Sequence, residues 1–333
     1  MVVVLSPPKD VPLDALASTV TRAWGVRVGS LTYRPVGYGS HHWDGLDDRA
    51  GRWWVTVDDL ETKRVSRHEP YEAAFDRLHA ALAAAAGLRE HGRTFAVAPV
   101  AGTRGGYLCR FDDRYAVALY PYVDGQRFSW GEFSTPEHRR ATLDMVLGVH
   151  TAPASVRAAV PRDGFAIAHA DELQSTLDGI DAVADGPYGR PMVDLVRDRS
   201  GAIRGQLARY RDLVDLARAH PDRTVLTHGE PHPGNTMRTA DGWVLIDWET
   251  ALVAPPERDL WLVDPGDGSV LAAYAEATGH APLGAMVDLY RLRWMLADVA
   301  IEVARFRRPH EGTDEDDASW KFLTANVAAL ADR

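Results

Sequence analysis

Along the first third of the chain, short apolar runs alternate with polar turns. "LTYRPVGYGSHHW" (from Leu31), "GRWWVTVDDL" (from Gly51), "GGYLCRF" (from Gly105) and "YAVALYPYV" (from Tyr115) read as strands joined by turns. Two helices are expected among them, one from about Leu13 to Trp24 and an alanine-rich one from Tyr71 to about Ala86, which Gly87 is placed to terminate. After "DGQRF" the rhythm lengthens. Residues 136–150, 190–220, 270–278, 284–308 and 315–331 carry helical periodicity. The main interruption is a pair of short apolar runs, "TVLTH" and "WVLIDW", which read as buried strands around a loop. The pattern predicts an α+β chain of two lobes. A small strand-rich lobe spans residues 1–124 and a larger, mostly helical lobe spans 125–333. The division falls at Asp124 and Gly125, where an apolar strand runs into a turn.

A length of 333 residues suits two lobes better than one. No apolar run approaches the roughly 18 residues of a membrane span. The opening "MVVVLSPPKD" has no basic stretch ahead of its short apolar run, so it makes a poor secretory signal. A single cysteine, Cys109, excludes an intrachain disulfide and fits a reducing cytoplasm. The net charge of −10 speaks against a nucleic-acid binder and suits a cationic small-molecule partner. Oligomeric state is not legible. Lysine is scarce: only Lys9, Lys63 and Lys321.

The loop between the buried strands holds the candidate chemistry. In "LTHGEPHPGN" a histidine, His228, and a carboxylate, Glu230, are followed by an amide, Asn235; Asp247 stands on the next strand. An amide oxygen and a carboxylate can hold a hard divalent cation while the second carboxylate faces a substrate hydroxyl. Phosphoryl transfer needs these parts. The alternative is a rigid structural loop, with His228 bonded to backbone.

"HGEPHPGN" followed by "VLIDWE" and "APPERDLWLV" resembles the aminoglycoside phosphotransferase family, nearest its spectinomycin-phosphotransferase branch. The resemblance spans the chain in order of elements and is specific from His228 to Leu262. It implies a bilobal protein-kinase-like fold and transfer of the γ-phosphate of ATP or GTP, with Mg²⁺, to an acceptor hydroxyl, by default on an aminoglycoside-like molecule or other amino sugar. By the same resemblance Glu230 takes the catalytic-base position, Asn235 and Asp247 the metal positions, and His228 and Asp259 brace the loop. Gly37, Gly39 and Ser40 in "VGYGSHHW" match the glycine loop over the phosphates. "LYPYVDG", with Tyr120 and Tyr122, matches the hinge that meets the base. Read without the resemblance, the two glycines are an ordinary turn, Glu257 and Asp259 suit a helix start, and His232 belongs to a turn.

Two departures stand out. The family has Asp where this chain has Glu230, whose carboxylate reaches about an ångström further; misplacement of that size can cost on the order of a hundredfold in rate. The family's phosphate-binding strand lysine is replaced by Thr56. Lys63 would lie about 23 Å from Thr56 along an extended strand, and Arg52 about 13 Å. Glu72, the usual partner of that lysine, is then a solvated helix residue. The rival reading is a degenerate kinase fold that binds a ligand without phosphorylating it; a third keeps the nucleotide but transfers a nucleotidyl group.

For the acceptor, Asp298 and Glu302 share one helix face, with Trp294 a turn earlier. Such a set can hold an amine or guanidinium by ion pairing and cation–π contact. It is equally what an amphipathic helix with a core tryptophan presents. Asp264 and Asp267 are rim candidates, and "EGTDEDD" (from Glu311) reads as a solvated loop between helices.

Overall fold

The computed structural model describes residues 6–37, 39–180 and 185–332. The first five residues of the N-terminal stretch and Tyr38 of "VGYGS" lie outside the described residues. Five antiparallel strands form the N-terminal sheet: β1 (Val28–Arg34), β2 (Ser40–Asp47), β3 (Arg52–Asp59), β4 (Cys109–Arg110) and β5 (Tyr115–Pro121), in the order β1-β2-β3-β5-β4. Val55 and Val57 of β3 and Val117 and Leu119 of β5 pack with Trp43 and the helix Leu13–Trp24 on one face. Leu60, Ala116 and Ala118 join the helix Tyr71–Glu90 on the other.

That second helix is longer than its glycine suggested. It runs through Gly87 because a Cβ there would come within 3.1 Å of Val156; the glycine permits close packing against the segment Ala154–Ala158. The stop comes at Gly92, with φ +81° and Arg93 N–H donating to Leu88 O at 3.0 Å.

The larger lobe is built on the helix Gly284–Phe306, which packs on Ser200–Arg218, Asp314–Ala331 and Glu257–Val263 around Leu289, Leu296, Val299 and Val303. Residues 190–220 divide into Gly189–Asp198 and Ser200–Arg218, with Arg199 between them. "EGTDEDD" is half loop and half helix start. Thr313 and Asp316 form a reciprocal cap, and Asp316 is buried, accepting from Arg305 at 2.9 Å. Strands Val225–Thr227 and Leu252–Ala254 pair antiparallel, as do Thr236–Thr239 and Gly242–Leu245, and the candidate loop emerges between them. The chain is thus an α+β fold whose N-terminal part is strand-rich and whose C-terminal part is mostly helical. No helix among the described residues is long and apolar enough to cross a membrane.

Candidate functional site

The candidate loop is held from beneath by a buried carboxylate. Asp259, fully buried at the start of Glu257–Val263, accepts from the backbone N–H of His228 at 2.9 Å and of Gly229 at 2.6 Å. His150 reaches the same carboxylate at 3.0 Å from the helix Pro136–His150, and Tyr274 meets the other ring nitrogen at 3.0 Å. Burial would raise the Asp259 carboxyl, but the bond from His150 and nearby Arg258 carry it below its ordinary value. His228 Nε2 donates to Ile246 O at 2.9 Å, leaving Nδ1 to accept from Glu230 N–H at 3.2 Å, so the ring is a neutral tautomer. Burial pushes its pKa down to about 4, in keeping with that state.

Gly229 has φ +100°, and a Cβ on it would lie 2.6 Å from Arg258 Cζ. The guanidinium is fixed there by Thr227 Oγ1 at 2.8 Å and Thr250 O at 2.7 Å. The sequence gives no sign of this wedge, or of His150, because both arise from contacts between distant segments.

Glu230 and the two metal candidates come together. Asn235 Nδ2 donates to Glu230 O at 3.0 Å, which commits the amide nitrogen and leaves its oxygen for another partner. Ile246 N–H donates to Asn235 O at 2.9 Å, setting the following residue, Asp247, beside the loop. Asp247 has φ +64°, a strained conformation for a residue with a side chain and one that collects at functional sites. Its carboxyl is pushed well above the ordinary range by burial, then by Glu249 and Glu230. Glu230 ends below its ordinary value: burial would raise it, but His232, with Nε2 3.8 Å from Oε2, outweighs that.

The expectation for Lys63 is corrected. The chain does not stay extended after β3. Asp59 caps a single helical turn, Leu60–Lys63, by accepting from Glu61 N–H at 3.0 Å, and the turn brings Lys63 back beside the strand. Its Nζ lies 3.2 Å from Asp58 Oδ1 and 3.1 Å from Ser40 Oγ, and it is ion-paired with Glu249. Thr56 instead meets His42 Nδ1 at 3.2 Å. Arg52 is paired with Asp44 at 2.7 Å over the Tyr122 ring, and Glu72 lies on the solvent-exposed face of its helix, where Arg110 pairs with it.

The glycine loop sits over this cluster. Gly37 and Gly39 both have φ +80°, and a Cβ on Gly39 would be 3.4 Å from Lys63 Nζ. Ser40 Oγ donates to Asp58 at 2.6 Å. Tyr120 is half-buried, and its hydroxyl is pushed well above its ordinary pKa by desolvation and by Asp58 and Asp247. Tyr122 follows the end of β5 and lies edge-on to Trp54.

On the far side of Glu230 a cleft of about 190 Å³ is lined by Arg258, Trp261, Arg293, Trp294 and Asp298 among others. Trp294 lies 5.6 Å from Trp261 and stacks at 5.3 Å on Trp130, which in turn meets His232 edge-on at 4.3 Å. Trp130 and His232 were not distinguishable as site residues in the sequence. Asp298 faces the cleft with its pKa pushed up to about 7 by burial and by Glu302. Glu302 lies one turn deeper and is fully buried. Asp264 does not line the cleft; its carboxylate accepts from Gly266 N–H at 2.9 Å and Val270 N–H at 3.2 Å, ordering the next turn. Asp267 caps Ser269 at 2.9 Å.

Comparison with known proteins bears on this geometry. The sequence model of the phosphotransferase enzyme family matches residues 42–295. Protein StrN of Streptomyces griseus is 33% identical over 257 residues, which cover 71% of this chain and 73% of that protein. Among solved structures, spectinomycin phosphotransferase APH(9)-Ia in complex with ADP and spectinomycin aligns with a TM-score of 0.71 at 15% identity, over 97% of this chain and 98% of that one. Amicoumacin kinase hAmiN, in complex with AMP-PNP, Ca²⁺ and Ami, aligns with a TM-score of 0.62 at 11% identity, over 97% and 94%. At those identities the likeness is one of fold.

Proposed function

The chain belongs to the phosphotransferase enzyme family, and from that premise we propose that it is a small-molecule kinase moving the γ-phosphate of ATP or GTP to a hydroxyl of an amino-sugar-like acceptor, with Mg²⁺. The observation that carries this reading is the position of Glu230. One carboxylate lines the aromatic cleft, while its own backbone carbonyl is bonded to Asn235, next to Asp247.

Glu230 orients the acceptor hydroxyl and takes its proton as the oxygen attacks phosphorus in line. Its depressed pKa keeps it ionised, ready to accept. Asn235 and Asp247 suit magnesium as a donor set. The amide oxygen is free, and Asp247 sits among Glu249 and Glu230 in a surplus of negative charge that a cation relieves. Among the described residues no three His, Cys, Asp or Glu side chains form a metal cluster of their own, so a cation here would draw on the amide and on substrate phosphate too. Magnesium, when bound, neutralises charge developing on the transferred phosphate. On the acceptor side, Trp294 and Trp261 line the cleft as aromatic walls against which a ring can pack, and Asp298 offers a carboxylate to its amine.

The test is phosphotransfer against a panel of amino sugars and aminocyclitols, with mass spectrometry separating added phosphate from added nucleotide. Asn235→Ala and Asp247→Ala should each abolish the product. Retained turnover in both would sink the assignment, and nucleotide binding without any product would favour the non-catalytic ligand-binding reading.

A further inference from the structure

Resting on the kinase reading above, we propose that Lys63, delivered by the helical turn after β3, is the cation that binds the nucleotide's phosphates, and that Glu249 holds its place until phosphate arrives. Lys63 meets two parts of the site at once. Its Nζ touches Ser40 Oγ at 3.1 Å, beneath the glycine loop, and it is ion-paired with Glu249, two residues after Asp247. Gly39 lets the loop lie close over it: a Cβ there would stand 3.4 Å from Nζ. A phosphate under this loop therefore finds an ammonium at the depth where the loop's backbone ends.

The mount is rigid. Arg77 donates to Lys63 O at 2.6 Å, and Glu61 on the same turn accepts from Arg64 at 2.7 Å and from Tyr71 at 2.8 Å. Arg308 of the helical lobe pairs with Glu61 at 3.2 Å, so the turn is gripped from both lobes. Neither other candidate for the role is available: Arg52 is committed to Asp44, and Thr56 to His42.

Charge accounting explains Glu249. A buried ammonium needs an anion. Burial would pull the Lys63 pKa down, yet Glu249 and Asp58 carry it above its ordinary value, so it is charged whenever the pair is intact. Phosphate exchanges one anionic oxygen for another on Nζ; Asp58 remains, and the released Glu249 is left beside Asp247. A bond of this charged kind is worth roughly ten- to hundredfold in affinity.

Calorimetry on the full-length chain tests this, using ATP and GTP with and without MgCl₂ and the parent nucleoside as control. Lys63→Met should weaken binding of the preferred Mg-nucleotide by roughly ten- to hundredfold and leave the nucleoside unchanged, while Lys63→Arg should recover most of the loss. Should Lys63→Met fold poorly, Glu249→Gln supplies a second reading. With the competitor gone, metal-free nucleotide should bind several-fold tighter, and the absence of any gain would by itself overturn the assignment; where the double variant folds, the gain should vanish when Lys63→Met is added. Unchanged affinity in Lys63→Met, equal loss of nucleotide and nucleoside, or a Glu249→Gln gain that persists without the lysine would overturn the assignment and leave the kinase reading standing. No nucleotide binding by the wild type would overturn both.

Discussion

Replacing Asp298 by asparagine should stabilise the protein and weaken acceptor binding, with both effects set by pH. The side chain is 8% exposed, and its pKa is raised from 3.8 to about 7, first by burial and then by Glu302 and Glu230. A carboxyl raised on folding favours the native state while protonated. Below pH 4 it is protonated in both states and costs nothing. Between pH 4 and 7 the unfolded chain ionises and the native one does not, so stability falls as pH rises; above 7 the penalty is complete. Three units at about 1.4 kcal/mol each set a ceiling of about 4 kcal/mol. Glu302, one turn away, is also raised by burial and shares the repulsion. We therefore expect Asp298→Asn to gain stability by about 2 kcal/mol more at pH 8 than at pH 5, or roughly 3 °C in melting temperature for a chain of this length. Thermal melts at the two pH values read it directly. An equal shift at both would show that Asp298 carries no folding-linked proton. At pH 8, KM for a cationic acceptor should rise on the order of tenfold in the same variant. A neutral acceptor should lose nothing.

Glu230→Gln should abolish turnover while leaving Mg-nucleotide affinity within about twofold, and Glu230→Asp, with its carboxylate drawn back by about an ångström, should lose on the order of a hundredfold in kcat; full activity in Glu230→Gln would remove it from the base position. Gly229→Ala forces a side chain into the Arg258 guanidinium at positive φ, and should cost about 2–4 kcal/mol in urea unfolding; a loss under 0.5 kcal/mol would mean Arg258 moves aside freely. Asp259→Ala strands two backbone N–H groups and His150 in the interior, so about 3 kcal/mol and most of the turnover should go together. Trp294→Ala should raise KM for a ring-shaped acceptor without changing nucleotide affinity, as steady-state kinetics with each substrate varied would establish.

Much of this architecture is written locally. The strands come from short apolar runs bounded by turns, and the candidate loop carries His228, Glu230 and Asn235 within one contiguous segment, although Asp259, Arg258 and His150 hold that segment from elsewhere in the chain. Gly87 was legible as a glycine but not as a helix-interior one, because its reason is Val156, far along the chain. Lys63 was misplaced by a single assumption: strand rise is about 3.3 Å per residue and helix rise about 1.5 Å, and four helical residues turned a remote lysine into a neighbour. Trp130 and His150 act across 164 and 109 residues, on Trp294 and Asp259, and no local pattern announces a contact of that kind.

The helix Gly284–Phe306 divides two tasks between its faces. Tyr290, Trp294, Ala297, Asp298 and Ile301 turn to the cleft beside Glu230, while Leu289, Leu292, Leu296, Val299 and Val303 lock into the core. Because the helical repeat keeps these sets mostly apart, the cleft can be reshaped residue by residue while the inner face goes on holding the surrounding helices together.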